Sequence, residues 1–327
     1  MKNIFRIFCF SAIIVFSGCT SAPKKASTFA PETSYHLSAG VRLYDDKMYT
    51  AAIDHFESAL KIEPTNPVVH YELGLTYMQL NNYEECIATT KRGLKNPADQ
   101  KTQLTGLLAT CYSQSGDINQ AVSLYKSALR TNPRDPELHY NIAVAYTKQN
   151  NIRDAIHHFQ ESIKNKPRYA SPYLALGELY RKSNRQSLAM IYFMKFSLLE
   201  RNTPRTQIAA RRIAHLLYNG VNTETNNISV NLNSDNNNES LLTLDLALQL
   251  IALNAISEDK EITAEIHAGA LNKFVGITKE IVEDDPKLNS MFFSDHALSD
   301  IIRLYSQNNF LPFALNLADI AGFRKPG

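Results

Sequence analysis

The sequence lacks the short motifs that mark common catalytic sites. It has no glycine-rich phosphate loop, no His-Glu-x-x-His pair, no Gly-x-Ser-x-Gly elbow and no Cys-x-x-Cys pair. Ser294-Asp295-His296 contains the residue types of a catalytic triad, but triad residues meet in space and not along the chain. We expect Ser294 or Asp295 to begin a helix instead. The chain is therefore predicted not to be an enzyme, and no cofactor is expected.

Clusters of metal ligands are also scarce. His157 and His158 are adjacent, and Asp154 and Glu161 lie about one turn to either side of them. Both histidines fall between the apolar positions of a predicted helix, so we expect them to point outward. Structural zinc sites need four ligands. A solvated helix face is the preferred interpretation, and no metal is predicted.

An excess of charge of one sign is missing as well. The chain has 34 Lys and Arg residues against 32 Asp and Glu residues, a net charge of +2. Two of the basic residues, Lys2 and Arg6, lie in a segment that we expect to be removed, which leaves the remainder neutral. A neutral protein has no electrostatic reason to bind nucleic acid.

The N-terminus has the features of a secretory signal. Lys2 and Arg6 precede a short apolar stretch over 7–16, and small residues follow it. That stretch is too short for a permanent membrane span. Farther on, the most apolar run is 241–256, where Asp245 and Gln249 form a polar stripe. We expect this run to be a buried core helix.

What the sequence does contain is a repeat of about 34 residues. Small residues recur at intervals of 34, 35, 34 and 34, at Gly40, Gly74, Ala109, Ala143 and Gly177. Further columns follow in each unit: mostly Tyr three residues later, mostly Ala twelve residues later, and mostly Phe or Tyr four residues after that. Each unit reads as two amphipathic helices whose small residues lie where the helices cross most closely. Such hairpins bury their apolar faces only by stacking on one another.

These columns resemble those of tetratricopeptide repeats over residues 33–203. The resemblance implies an all-α fold, a right-handed solenoid of five helical hairpins, followed by a capping helix over 204–220. We expect an Asn-rich linker over 221–239 and a C-terminal helical domain over 240–327. Within that domain the pattern predicts helices at about 240–257, 261–283, 297–307 and 309–321.

The Ser17-Gly18-Cys19 sequence resembles the lipobox of bacterial lipoproteins. The resemblance implies a signal peptide over 1–18 and a lipidated Cys19 as the first mature residue, on a flexible tether over 19–32. An ordinary cleaved signal with an incidental cysteine is the alternative. Thr20 follows the cysteine, which by the same resemblance favours an outer-membrane lipoprotein that faces the periplasm.

Two further cysteines have two possible roles. Cys86 occupies a small-residue column of the second unit, where it suits a core position. Cys111 lies on the next predicted helix, which stacks on the helix that holds Cys86. In an oxidising compartment the two could form a disulfide. The spacing leaves both possibilities open.

The family resemblance also implies a binding groove along the first helix of each repeat. The positions that line this groove in the family correspond here to apolar and aromatic residues, then to neutral and basic ones: Tyr44, Tyr71, Leu75, Met78, Tyr140, Val144, Lys148, Arg181 and Lys182. An extended or helical peptide with apolar anchors and an acidic tail would fit. Alternatively, these Tyr and Leu side chains pack between neighbouring helices.

Two functions are consistent with these features. The first is a lipid-anchored periplasmic scaffold that holds partner proteins for envelope assembly. Over 1–220 the chain is similar in plan to the adaptor lipoproteins of pilus assembly. The second is a hydrolase-type enzyme with its site in the C-terminal helical domain, where His267, Glu265, Asp295 and His296 would have to converge.

Overall fold

The computed structural model describes residues 30–218, 243–248, 250–251, 255, 263–285 and 298–322. Every regular element in these ranges is helical. The predicted signal peptide, Cys19 and the Asn-rich linker lie outside them. The α-helices are α1 (Pro31–Asp45), α2 (Tyr49–Ile62), α3 (Pro67–Gln79), α4 (Tyr83–Gly93), α5 (Lys101–Ser115), α6 (Ile118–Thr131), α7 (Pro136–Lys148), α8 (Ile152–Asn165), α9 (Ala170–Lys182), α10 (Gln186–Leu199), α11 (Pro204–Tyr218), α12 (Ala264–Asp284), α13 (Ser299–Ser306) and α14 (Phe310–Ala321).

The chain forms two compact units. The described residues up to Pro133, together with Val144–Gln149, make up the first unit. Arg134–Ala143 and the described residues from Asn150 onward make up the second. The boundary passes through α7, so this helix contributes to both units.

The small-residue columns lie where the two helices of a hairpin cross, as the sequence predicts. A Cβ atom on Gly40 would lie 2.6 Å from the ring of Phe56, and one on Gly177 would lie 2.7 Å from the ring of Phe193. Heavy atoms cannot approach so closely without displacement. In each of these hairpins, the glycine and the aromatic residue sixteen positions later therefore pack directly against each other.

The turn inside each hairpin repeats a backbone conformation that the sequence analysis missed. Seven residues after each small residue the backbone φ is positive, at Lys47, Asn81, Gly116, Asn150 and Asn184. Three of these residues are Asn and one is Gly, the residue types that adopt the left-handed conformation at the lowest cost. This column ends the first helix of each repeat and turns the chain back into the second.

A disulfide links α4 to α5 in the first unit. Cys86 and Cys111 are fully buried, and their Cα atoms are 6.0 Å apart, within the usual range for a bridge. The bridge joins the second helix of one repeat to the first helix of the next. The sequence left two roles open for these cysteines, a small core residue or a disulfide. In the structure they form the disulfide.

Helix α10 is buried on nearly all sides, which is unusual for the second helix of a hairpin. Its sequence is apolar almost throughout, and Lys195 in its middle is only 1% exposed. The Lys195 ammonium forms an ion pair with Asp300 of α13. At the N-terminal end of α10, the backbone N–H of Ser187 donates to the carboxylate of Asp245 at 2.8 Å. Asp245 therefore caps α10 from a distant part of the chain.

The described C-terminal helices pack within the second unit. Helices α12, α13 and α14 begin and end within three residues of the helices expected at about 261–283, 297–307 and 309–321. Helix α14 contacts α11 and α12, and α13 contacts α10. Helix α11 also packs on α10, so α11 and α13 both contribute to the burial of this apolar helix.

Candidate functional site

The apolar groove residues of the first unit lie on one face of α3. Tyr71, Leu75 and Met78 are spaced by four and three residues, so they project from the same side of the helix. All three are half-buried, and they pack against the cluster formed by Cys86, Leu107 and Cys111. Their inner parts support the core, and their outer parts form an apolar surface.

Tyr44 lies beside this surface, at the end of α1. Its hydroxyl accepts a hydrogen bond from the amide of Gln79 on α3 at 3.1 Å. The ring of Tyr49 meets the Tyr44 ring edge-on, with 5.5 Å between centroids. Burial raises the pKa of the Tyr44 hydroxyl above its usual value. Tyr44 is therefore a fixed, neutral wall of the groove at neutral pH.

Glu72, which the sequence analysis did not select, lies in the same place. It follows Tyr71 on α3 and shares a helix face with Leu75 and Gln79. Burial raises the pKa of its carboxyl group to about 7, and the charge of Asp45 adds to the effect. The signal that could have identified Glu72 is its position in the helix, three residues before the groove residue Leu75.

Tyr140 is placed differently from the groove residues of the first unit. Its side chain is only 7% exposed. Its ring lies 5.6 Å from the ring of Phe159 and 5.4 Å from that of Tyr169, measured between centroids. This is the placement expected of a ring that fills space between helices, the alternative that the sequence left open.

The basic residues assigned to the groove have internal partners. The Lys148 ammonium donates to the backbone oxygen of Ser113 at 2.7 Å and to the amide oxygen of Gln114 at 3.3 Å. In the second unit, Arg181 and Arg212 both form ion pairs with Glu178, at 2.8 and 3.2 Å. Arg181 is thus held by a carboxylate that is nearly buried and that it shares with Arg212. Lys182 is exposed, and Val144 is half-buried.

One of the two adjacent histidines, His158, contacts a third histidine on the neighbouring helix. His157 is exposed, while the Nδ1 atom of His158 lies 2.9 Å from Nδ1 of His139. His36 and His55 repeat this contact at 3.1 Å in the first unit. Among the described residues, no three or more His, Cys, Asp or Glu side chains are grouped so that they could hold a metal ion.

The described residues offer no support for a hydrolase site in the C-terminal segment. His267 is fully buried and its Nδ1 lies 3.3 Å from the hydroxyl of Tyr218, and burial lowers its pKa to about 4. Asp295 and His296 lie outside the described residues. An open cavity of about 440 Å³ in the second unit is lined by other residues, namely Asn272, Lys279, Tyr305, Ser306, Asn308 and Leu311.

No helix within the described parts of the chain combines the length and apolarity needed to cross a bilayer.

Paired antiparallel helices, small residues at each crossing and one left-handed residue per turn define a helical-hairpin repeat protein. Comparison with protein-family profiles identifies the repeat. The profiles that match are described as "Tetratricopeptide repeat", at residues 43–111 and 112–177 and again at 170–203. Residues 43–203 of this chain are therefore tetratricopeptide repeats.

Solved structures with a similar fold include PilW and PilF. The type IV pilus biogenesis factor PilW is 17% identical, with a TM-score of 0.51, over 57% of this chain and 87% of its own. PilF of Pseudomonas aeruginosa is 14% identical, with a TM-score of 0.50, over 57% of this chain and 84% of its own. At these identities the likeness shows the fold alone.

A curated relative matches a shorter region. The BBSome complex member BBS4 of Xenopus tropicalis is 29% identical over 120 residues. The match covers 36% of this chain and 23% of the relative, so the chain spans less than a quarter of that protein.

Proposed function

We propose that this protein is a lipid-anchored periplasmic adaptor that binds a partner protein through the groove of its repeats. Tetratricopeptide repeats are protein-binding modules. The observation that carries the proposal is the face of α3 on which Tyr71, Leu75 and Met78 are half-buried, beside Tyr44. Apolar and aromatic side chains that are held by the core but still reach solvent are typical anchors for a peptide or helix.

The location rests on two independent features. The first is the N-terminal sequence, in which Lys2, Arg6 and an apolar stretch precede Ser17-Gly18-Cys19. The second is the Cys86–Cys111 disulfide, because such bridges persist in oxidising compartments such as the bacterial periplasm. Together they support a lipoprotein in the periplasm, and Thr20 after the cysteine favours the outer membrane by resemblance to the lipoprotein family. The envelope-assembly part of the proposal rests on the resemblance of residues 1–220 to the adaptor lipoproteins of pilus assembly.

The groove is tested by capturing the partner from envelope extracts with the tagged full-length protein. We expect the double variant Leu75→Ala and Met78→Ala to lose the partner, because fully burying a Leu or Met side chain contributes about 1.5–3 kcal/mol. Ile62→Ala is the matched control, since Ile62 is an exposed apolar residue on α2, outside the groove. Thermal melting of each variant checks that it is folded. Equal capture by the double variant and the control would place the binding surface elsewhere.

The lipid anchor is tested by Cys19→Ser. Without the thiol no lipid can be attached, so we expect this variant to leave the membrane fraction or to retain its N-terminal segment. Cys9→Ser is the control, because Cys9 lies within the segment that is expected to be removed. Fractionation followed by intact mass spectrometry distinguishes the forms. A Cys19→Ser protein that is cleaved normally and still sediments with membranes contradicts the anchor.

A further inference from the structure

Two carboxylates lie at the corner where α1 ends beside α3. Asp45 is the last residue of α1, and its charge acts on Glu72 of α3. Within the described residues Glu72 forms neither an ion pair nor a side-chain hydrogen bond, although it is half-buried. A carboxylate that loses water without gaining a partner is costly to keep. A cationic group from a bound segment would supply that partner.

The residues at the end of α1 add negative charge to this corner and do not neutralise it. Asp45 and Asp46 lie at the C-terminal end of α1, where the helix dipole is already negative and a carboxylate is unfavourable. The nearest basic residues in the sequence are Arg42 and Lys47. Neither of them forms an ion pair with Asp45 or Glu72. The first unit therefore has an uncompensated negative corner at one end of its apolar groove.

Aromatic rings complete the corner. The hydrogen bond from Gln79 holds the Tyr44 hydroxyl, and Tyr49 meets the Tyr44 ring edge-on. The charges of Glu72 and Asp45 also raise the pKa of the Tyr44 hydroxyl. The aromatic rings and the carboxylates therefore lie in one small region. Carboxylates beside tyrosine rings are the groups that bind an ammonium or guanidinium, by ion pairing and by cation–π attraction.

We infer that the corner formed by Tyr44, Asp45, Tyr49, Glu72 and Gln79 receives a lysine or arginine side chain of the partner segment. The apolar side chains of the same segment rest on Tyr71, Leu75 and Met78. This inference rests on the proposed function and specifies the chemistry of the partner. It differs from the acidic partner that the basic residues of the sequence suggest, because Arg181 is already paired with Glu178. Beside the apolar surface of the first unit, Asp45 and Glu72 have no ion-pair partner among the described residues.

The test uses peptides selected from a random library of about twelve residues on the purified full-length protein, at about pH 8, where Glu72 is charged. We expect the selected peptides to carry Lys or Arg beside apolar residues. Binding of a selected peptide should weaken about tenfold or more with Glu72→Gln, which keeps the shape of the side chain and removes its charge. Glu84→Gln is the matched control, because Glu84 is an exposed glutamate on α4.

A double-mutant cycle assigns the contact. Replacing the basic residue of the peptide by Gln should weaken binding to the unmodified protein by a similar factor, with little further loss on the Glu72→Gln variant. Peptides without a basic residue, or equal binding by Glu72→Gln and Glu84→Gln, would overturn the inference. If no peptide is selected, the proposed groove itself is wrong. The same follows if the double variant Leu75→Ala and Met78→Ala binds the selected peptides as tightly as the unmodified protein. The two failures are therefore distinguishable.

Discussion

Loss of the Cys86–Cys111 bridge is expected to lower the free energy of unfolding of the first unit by about 3.5 kcal/mol. The reason is that the bridge joins residues 25 apart and restricts the unfolded chain. Both sulfurs are fully buried, so the oxidised protein should resist mild reductants until it opens. Urea unfolding followed by circular dichroism, with and without a strong reductant, gives the difference.

The control for this experiment is the double variant Cys86→Ala and Cys111→Ala. Alanine occupies the position equivalent to Cys86 in the other four repeats, and Ala145 occupies the position equivalent to Cys111 in the fourth repeat, so alanine fits both places. Its unfolding curve should be shifted relative to the oxidised protein and should not respond to reductant. An oxidised protein whose curve is also indifferent to reductant would show that the bridge contributes nothing to stability.

Gly177→Leu is expected to cost at least ~3 kcal/mol, the upper end of the range for oversized core residues. The first carbon of the new side chain would already lie 2.7 Å from the ring of Phe193, between helices α9 and α10. Neither helix can move away easily, because α10 is buried on nearly all sides. We expect a large fall in melting temperature or loss of soluble protein.

Gly269→Ala is the matched control for Gly177→Leu. A Cβ atom on Gly269 would meet no neighbouring atom within 4 Å, so this change should be neutral or stabilise α12 by up to ~1 kcal/mol. If Gly177→Leu melts at the same temperature as the unchanged protein, the crossing of α9 and α10 is not as close as the structure shows.

The repeats could be predicted from the sequence because their information is local and is repeated five times. The small residues such as Gly40 and Gly177 and their aromatic partners identify the hairpin crossings. The left-handed column at Asn81, Asn150 and Asn184 was equally visible in the sequence but was missed. The C-terminal helices followed from apolar periodicity alone.

Contacts between distant residues could not be predicted in the same way. Asp300 meets Lys195 across 105 positions, and Asp245 meets Ser187 across 58. Each pair occurs once, so no repetition in the sequence marks it. For the same reason, the charged contacts of the candidate site could not be predicted from the sequence. Family positions selected Tyr71, Leu75 and Met78, but only the tertiary structure shows that Arg212 also pairs with Glu178 and that Glu72 has no such partner.

The central claim is that a partner lies on the α3 face of the first unit. The most direct measurement is photo-crosslinking in intact cells, with a benzophenone amino acid at position 78 in place of Met78 and, in a separate strain, at position 62 in place of Ile62. The account predicts a covalent adduct of defined mass from position 78 and none from position 62. An adduct from position 62 with none from position 78 would contradict it.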